Sequence, residues 1–378
     1  MKPAVTLAIP TPATRPIRID FVLIGARGQV GTALRQRLAA QQTGIARRTG
    51  IDLRLLAAFD RRGFAFDLDG LPRADDLDSH LRPRVEDEIE ALFAHLQHNR
   101  HAPALIVDCS ASDAIAARYP DWLASGLGIA TANKRANARE LAFYRQLRRL
   151  ADENGAPYRF ETTVGAAIPI LGPLRDLALR GERVRAIQGV LSGSLSFLLQ
   201  RLHAGQAFSA ALAEAQRLGY TEPDPGEDLR AEDLARKLLV LAREAGFAIE
   251  AHEIDVTPFS PSAAGSTPAA AEDAVWAKRI NAAQATGRRW VMLAEIDARG
   301  ARIGLRALPA QQPFAQLAAG ENLVRIETEL QQERPLWLRG PGAGPAITAA
   351  GLLSDVIAAA QALARRDQTA SSRRSVAA

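Results

Sequence analysis

The sequence predicts an α/β chain in two parts: a parallel sheet wound with helices, then an α+β domain. Three observations lead there. In the first part, short apolar runs alternate with polar turns and helical stretches; at Tyr158 that alternation stops. The length, 378 residues, suits two to three domains at about 150 residues each. Strand–helix alternation implies parallel strands joined by crossovers, with ligand groups collected at the strands' carboxyl ends.

Residues 1–16 are rich in Pro, Ala and Thr and are expected to be disordered. Ile17–Ile24 then reads as an apolar strand running into Gly25-Ala-Arg-Gly-Gln-Val-Gly31 and a helix to about Gln42. The missing side chains of Gly25, Gly28 and Gly31 permit a tight turn, in which Arg27 adds a cation. They let backbone N–H groups at the helix start, around Gln29 and Val30, approach a pyrophosphate where the helix dipole favours negative charge. The spacing is GxxGxxG, and an ordinary glycine turn is the plainer alternative. A second strand, Ile51–Phe59, ends at Asp60-Arg61-Arg62. Asp60 suits ribose hydroxyls and Arg61 and Arg62 suit a 2′-phosphate, so NAD and NADP both stay open, as does a solvated turn. Ala104–Val107 ends at Asp108-Cys109-Ser110, and Gly128–Thr131 at Asn133-Lys134. Between the second strand and Ala104, Arg61–His101 reads as an acidic, irregular insertion. These elements make a Rossmann-like nucleotide-binding domain, residues 17–157, completed by 340–366, where Gly340-Pro-Gly-Ala-Gly344 leads into an apolar helix from Ile347 to about Ala364.

The second domain, 158–339, opens with strands at Tyr158–Thr163 and Val184–Leu191. Helices follow at Leu195–His203, Ala207–Leu218 and Glu232–Ala245, a proline-flanked loop at Val256–Thr267, and strands at Trp290–Ile296, Ala301–Leu308 and Leu323–Glu329. Asp367–Ala378 is a Ser/Arg tail without periodicity, expected to be disordered.

Hydrophobic residues make up 47% of the chain, charged residues 24% and aromatics 5%, which fits a globular protein and speaks against collagen-like, disordered and base-stacking classes. The net charge of +5 comes from basic residues spread along the chain, so an anionic small ligand is expected and a nucleic-acid partner is not. A single cysteine, Cys109, excludes an internal disulfide framework and a Cys-rich zinc site, and suggests a reducing, cytoplasmic setting. No uninterrupted apolar run reaches about 18 residues, and Met1–Thr14 is too proline-broken for a signal peptide. Neither export nor a membrane partner is expected.

The chain has 43 Arg and only four Lys: Lys2, Lys134, Lys237 and Lys278. Guanidinium stays charged, whereas an ammonium can exchange a proton near neutrality, so lysine is expected where a proton moves. The densest polar run, Gly219-Tyr-Thr-Glu222-Pro-Asp224-Pro-Gly-Glu227-Asp228, feeds carboxylates into a helix carrying Asp233 and Lys237. Four residues apart, Asp233 and Lys237 share one helix face: a surface ion pair, or an amine held charged beside a polar substrate.

These residues resemble the homoserine dehydrogenases, including the dehydrogenase half of bifunctional aspartokinase–homoserine dehydrogenases. The resemblance is carried by Ile106-Val-Asp-Cys-Ser110, Ala132-Asn-Lys134-Arg-Ala-Asn137, Glu161-Thr-Thr-Val-Gly-Ala-Ala-Ile-Pro169, Gly189-Val-Leu-Ser-Gly-Ser-Leu-Ser196, Gly219-Tyr-Thr-Glu-Pro-Asp-Pro225 and Gly342-Ala-Gly with Thr348-Ala-Ala-Gly351. It implies hydride transfer between NADP or NAD and the pair aspartate 4-semialdehyde and L-homoserine, in threonine and methionine biosynthesis. It further implies Lys237 as proton donor, Glu222, Asp228 and Asp233 as substrate-holding acids, and Lys134 beside substrate and nicotinamide. Ser110, Gly219 and Gly342 would line the cofactor. A monovalent cation, sodium, is implied at Glu161 and the carbonyls of Val164, Ala166 and Ile168, and a homodimer through the second domain's sheet.

Three departures accompany these matches. Arg27 lengthens the glycine turn, Ala167 stands where the family has glycine, and Gly226-Glu-Asp228 replaces Arg-Asp-Asp. With no kinase domain upstream and little chain after Ala364, feedback through a regulatory domain is not expected. Two other readings stay open: an aldehyde dehydrogenase using Cys109 as nucleophile, and an inactive paralogue that binds NAD(P) as sensor or scaffold.

Overall fold

A computed structural model describes residues 16–71, 77–98, 103–221, 225–260 and 269–377. The chain divides into two compact units. The first runs to Ala136 and takes in Arg145–Phe160 and the chain from Thr348 on; the second holds Asn137–Tyr144 and Glu161–Ile347.

In chain order the elements up to the end of the first sheet are β1 (Ile17–Ile24), α1 (Gln29–Thr49), β2 (Ile51–Phe59), β3 (Gly63–Phe66), α2 (Leu77–His80), β4 (Arg82–Pro83), α3 (Glu86–His98), β5 (Ala104–Asp108), α4 (Asp113–Ala116), α5 (Tyr119–Ala124), β6 (Gly128–Thr131), α6 (Leu141–Glu153) and β7 (Tyr158–Arg159). The sheet order is β4-β3-β2-β1-β5-β6-β7. From β2 to β7 the neighbours are parallel, while β3 and β4 add an antiparallel edge. Ile24 at the end of β1 pairs with Phe59 on one side and Asp108 on the other. The turns after β1, β2 and β5 therefore open at one end of the sheet, where strand order reverses and ligands bind in such folds.

The C-terminal helix, Pro345–Ala377, buries Ala349, Leu352, Leu353, Val356, Ala359, Ala360 and Leu363 in the core formed with β1, β2, β5 and α1. Their spacing of three and four makes one apolar stripe. Pro345–Thr369 is long and apolar enough to cross a membrane by length and composition, and here the stripe has a protein partner. A second cluster stacks Phe93 on Trp122 at 4.7 Å and sets Phe59 edge-on to Phe93 at 6.1 Å.

Several expectations are corrected in this unit. The first helix continues past Gln42 to Thr49, ending where Gly50 turns left-handed (φ 69°) and its N–H closes on Ala46 O. Arg61–His101 is not an irregular insertion: Phe64 and Ala65 zip onto β2, and α3 buries Ile89, Leu92, Phe93 and Leu96. Tyr158–Thr163 is not a strand of the second domain. Only Tyr158 and Arg159 pair, with β6 at the edge of the first sheet, and Glu161–Thr163 forms a 3-10 turn. The tail from Asp367 is helical through Ala377, since no glycine or proline after Gly351 interrupts the helix. Of the N-terminal segment expected to be disordered, 1–15 lie outside the described residues.

The second unit continues with α7 (Leu171–Leu179), β8 (Val184–Val190), α8 (Gly193–His203), α9 (Phe208–Arg217), α10 (Gly226–Leu229), α11 (Glu232–Glu244), β9 (Ile254–Val256), α12 (Asp273–Ala285), β10 (Arg288–Asp297), β11 (Gly300–Pro309), β12 (Glu321–Thr328) and β13 (Leu336–Pro341), from which the C-terminal helix, α13, departs. Its sheet order is β13-β12-β8-β10-β11-β9. Ile187, Ile296 and Ile326 pair across three strands and are buried; helices α8, α11 and α12 contact β10. On the opposite face Gln188, Glu295 and Arg325 pair instead. Neither α12 nor β13 is foreseen from the sequence. Val256 closes β9 instead of opening a loop, and 261–268 of the expected loop lie outside the described residues.

Candidate active site

At the switch point of the first unit a cavity of about 820 Å³ is lined by Gly25, Arg27, Gly28, Asp60, Arg61, Arg62 and Ser110, among others. Two of the glycines are required by contact. A Cβ on Gly25, itself at φ 78°, would come within 3.0 Å of Cys109 C, and one on Gly31 within 2.2 Å of Gly25 O. The turn therefore lies directly against the end of β5. Gly28 caps α1 without a side-chain hydrogen bond, so Gln29 and Val30 begin the helix with N–H groups directed at an anion's usual place.

Arg27 does not stand as a free cation. Its guanidinium grips Asp60 through two hydrogen bonds of 2.6 and 2.7 Å, and Asp60 also accepts the N–H groups of Arg62 and Gly63. Chiefly through Arg27, helped by those N–H groups and against the effect of burial, the Asp60 carboxyl is held at about 2. Sequence reasoning missed Arg84, which also lines the cavity, pairs with Glu86 and lies 5.8 Å over the Phe59 ring. It falls in the stretch taken for an insertion, directly after the two-residue edge strand β4, which leaves no periodic signal. Lys134 is half-buried on the turn after β6 and Ser112 lines the cavity beside Ser110. Burial and the Asp108 carboxylate push the Cys109 thiol well up, which leaves it neutral and a poor nucleophile.

In the second unit, α11 buries Leu234, Leu238 and Leu241 and carries Asp233 and Lys237 on a common face. Lys237 is 13% exposed; its Nζ lies 2.8 Å from Asp233 Oδ2 and donates to Leu191 O at 2.8 Å. Two of the ammonium's three N–H directions are thus taken by described residues, one of them by the carbonyl directly after β8. On α10, Asp228 accepts the Ser194 hydroxyl at 2.8 Å, and Ser192 caps α8 beside it. Burial, with Asp233's charge adding, raises the Asp228 carboxyl above its ordinary range, while Ser194 and Lys237 oppose the rise. Ser194 is a site neighbour that the sequence reading did not single out. Glu222 lies outside the described residues.

The remaining candidates sit elsewhere in this unit. Gly219, at φ 74°, follows α9 and closes on Gln216 O, and Gly342 packs so tightly on buried Asn322 that a Cβ would lie 2.0 Å from its Cγ. Glu161 is used differently from a cation ligand: its carboxylate accepts the N–H groups of Ile170, Leu171 and Gly172, at 2.6–2.8 Å, and the Arg175 guanidinium at 2.9 Å. Donors and a positive charge around both oxygens cap α7 and do not fit sodium binding by this side chain. Val164, Ala166 and Ile168 form a buried turn with Gly165 and Ala166 left-handed. Among the described residues no three His, Cys, Asp or Glu gather as a metal site.

Residues 169–357 match the homoserine dehydrogenase family, and 27–161 match the NAD-binding domain of homoserine dehydrogenases. The chain belongs to the homoserine dehydrogenase family. It is 33% identical over 341 residues to a bifunctional aspartokinase/homoserine dehydrogenase of Zea mays, covering 87% of this chain and 37% of that protein. The chain thus spans well under half the length of the curated relative. Among solved structures it resembles a Candida auris protein of unknown function, at 29% identity and a TM-score of 0.79, over 92% of this chain and 99% of that one. It also resembles a hyperthermophilic archaeal homoserine dehydrogenase in complex with NADPH, at 25% identity and a TM-score of 0.71, over 91% and 98% of the two chains.

Proposed function

We propose that the protein is an NADP-preferring homoserine dehydrogenase interconverting L-aspartate 4-semialdehyde and L-homoserine. The observation that carries this reading is Lys237, held between Asp233 and Leu191 O beside the Asp228–Ser194 pair. A bound nicotinamide supplies or accepts the hydride. The glycine turn and the N-terminus of α1 would hold its pyrophosphate, and Ser110 and Ser112 would line its path. In the reducing direction Lys237 gives a proton to the aldehyde oxygen as the carbon is reduced, yielding the alcohol; in reverse it takes that proton back. Asp233 pairs with the amine at 2.8 Å and, with Asp228 and Glu222, holds the substrate's ammonium and hydroxyl groups.

NADP preference rests on the Arg27–Asp60 pair. Asp60 already accepts three partners and its charge is matched, so it neither needs a ribose hydroxyl nor repels a 2′-phosphate; Arg61, Arg62 and Arg84 remain around the same cavity. We further read the chain as a homodimer in a reducing compartment, with the single cysteine supporting the latter. The second sheet would supply the interface. The test is steady-state oxidation of homoserine with NADP and with NAD at alkaline pH; turnover with homoserine supports the reading, and cofactor binding without turnover would make the chain a silent paralogue.

A further inference from the structure

Asp108 takes no part in the chemistry above, yet it is a fully buried carboxylate with three donors at a strand end of the first unit. It is 0% exposed at the end of β5. Its Oδ1 accepts the Ser110 N–H at 2.7 Å, and its Oδ2 accepts the Tyr119 hydroxyl at 2.7 Å and the Asn133 amide at 3.1 Å. Each of these partners is a donor and none of them is a cation. Asn133 sends its second amide hydrogen to Ser112 O at 3.0 Å, accepts the Arg135 N–H at 3.1 Å and passes its own N–H to Thr131 Oγ1 at 2.9 Å. Thr131 in turn meets the Tyr119 hydroxyl at 2.8 Å, closing a ring of contacts.

This network is not needed to join β5 to β6. Main-chain pairing already does so, and Ala132 N–H continues it onto Asp108 O at 3.0 Å. The side chain acts on the two turns beyond the strands: Cys109–Ser112, which lines the cavity, and Ala132–Arg135, in which Lys134 lies between two residues whose N–H groups are held. A buried carboxylate without a countercharge is costly, and only a full set of donors makes it tolerable. Burial pushes its carboxyl up, and the donors from Tyr119, Ser110 and Asn133 oppose the rise.

We propose that Asp108 is a positioning residue, whose carboxylate locks the Ser110–Ser112 turn and the Lys134 turn into one arrangement for the nicotinamide cofactor. The proposal rests on reading the first unit as an NAD(P) site.

Asp108→Asn keeps the shape but turns one acceptor into a donor facing donors. Fluorescence titration with NADPH should show binding weakened about tenfold or more, with kcat down by a similar factor and the KM for homoserine within about twofold. A merely structural role would lower Tm and leave NADPH affinity and kcat per folded molecule unchanged. Should Asp108→Asn not fold, Tyr119→Phe removes one donor and keeps the ring; it should weaken NADPH binding about threefold. NADPH affinity within about twofold of wild type in both variants, or in Tyr119→Phe alone if the other does not fold, overturns the proposal. The titration needs no turnover, so a wild type that binds NADPH but ignores homoserine refutes the functional reading alone. A wild type that binds neither NADPH nor NADH removes this proposal as well.

Discussion

Lys237 is one of four lysines among 43 arginines, and on α11 its Nζ meets both the Asp233 carboxylate and the Leu191 carbonyl directly after β8. Lys237→Ala should cost about a hundredfold or more in kcat, the usual scale of general-acid catalysis, with little change in cofactor affinity. Lys237→Arg should fail as well, because guanidinium does not release a proton near neutrality; near-normal turnover in that variant would remove the lysine from the mechanism. Asp228 gives a pH prediction. Its carboxyl is raised, so as pH falls it becomes neutral before an ordinary aspartate does, and its grip on an ammonium goes with it. The KM for homoserine should therefore rise on the acid side, and Asp228→Asn should flatten that limb while raising KM at neutral pH. Residue chemistry was legible here because Arg so outnumbers Lys and because i,i+4 spacing fixes a face. What a sequence does not display is three-dimensional pairing: Arg27 with Asp60, Ser194 with Asp228, and Asp108 with Tyr119 are separated by 33, 34 and 11 positions.

At the scale of elements, the proposed NADP preference rests on the turn after β2 and on Arg84, which follows the edge strand β4. Substituting Ala at both Arg61 and Arg62, or at Arg84, should lower kcat/KM for NADP by about tenfold per lost charged contact and leave NAD nearly untouched. An NAD preference that the double substitution does not alter would contradict the assignment. The Arg27–Asp60 pair also carries acid stability with a definite sign. The folded carboxyl sits at about 2 against an ordinary 3.8, so its contribution is present above the ordinary value and disappears as pH falls between them. Asp60→Asn should remove that part of the acid transition. Glu161 belongs to α7: Glu161→Gln should lower unfolding free energy by about 1–3 kcal/mol, equally in sodium and in choline buffers. A loss confined to sodium would restore the cation ligand. The strands of the first sheet were readable as apolar runs ended by polar turns. The edge strands β3 and β4 were not, because short antiparallel pairs surrounded by charged residues leave no periodic signal.

For the molecule as a whole, the two-part organisation was legible from the change of texture near Tyr158, but the boundary was not. Tyr158 and Arg159 join the first sheet, and only pairing with β6 reveals it. In the sheet from which the dimer interface is expected, Ile187 and Ile296 pair on the covered side and are buried. The other side carries Arg302 with Glu295 and Asp297, and Arg325 with Glu327, around a cavity of about 690 Å³. Acidic and basic rows of this kind can meet their own copy, so the proposed dimer should loosen with salt. Sedimentation at micromolar concentration should give twice the chain mass of 40.6 kDa; a monomer at low salt would contradict it.

The most direct test of the central claim measures homoserine oxidation by following NADPH formation, in wild type and in Lys237→Ala at equal cofactor saturation. Turnover in the wild type, reduced about a hundredfold or more in the variant while NADP still binds, is the predicted result. Wild-type protein that binds NADP and leaves homoserine unoxidised, or a variant that turns over as fast as wild type, would contradict the account.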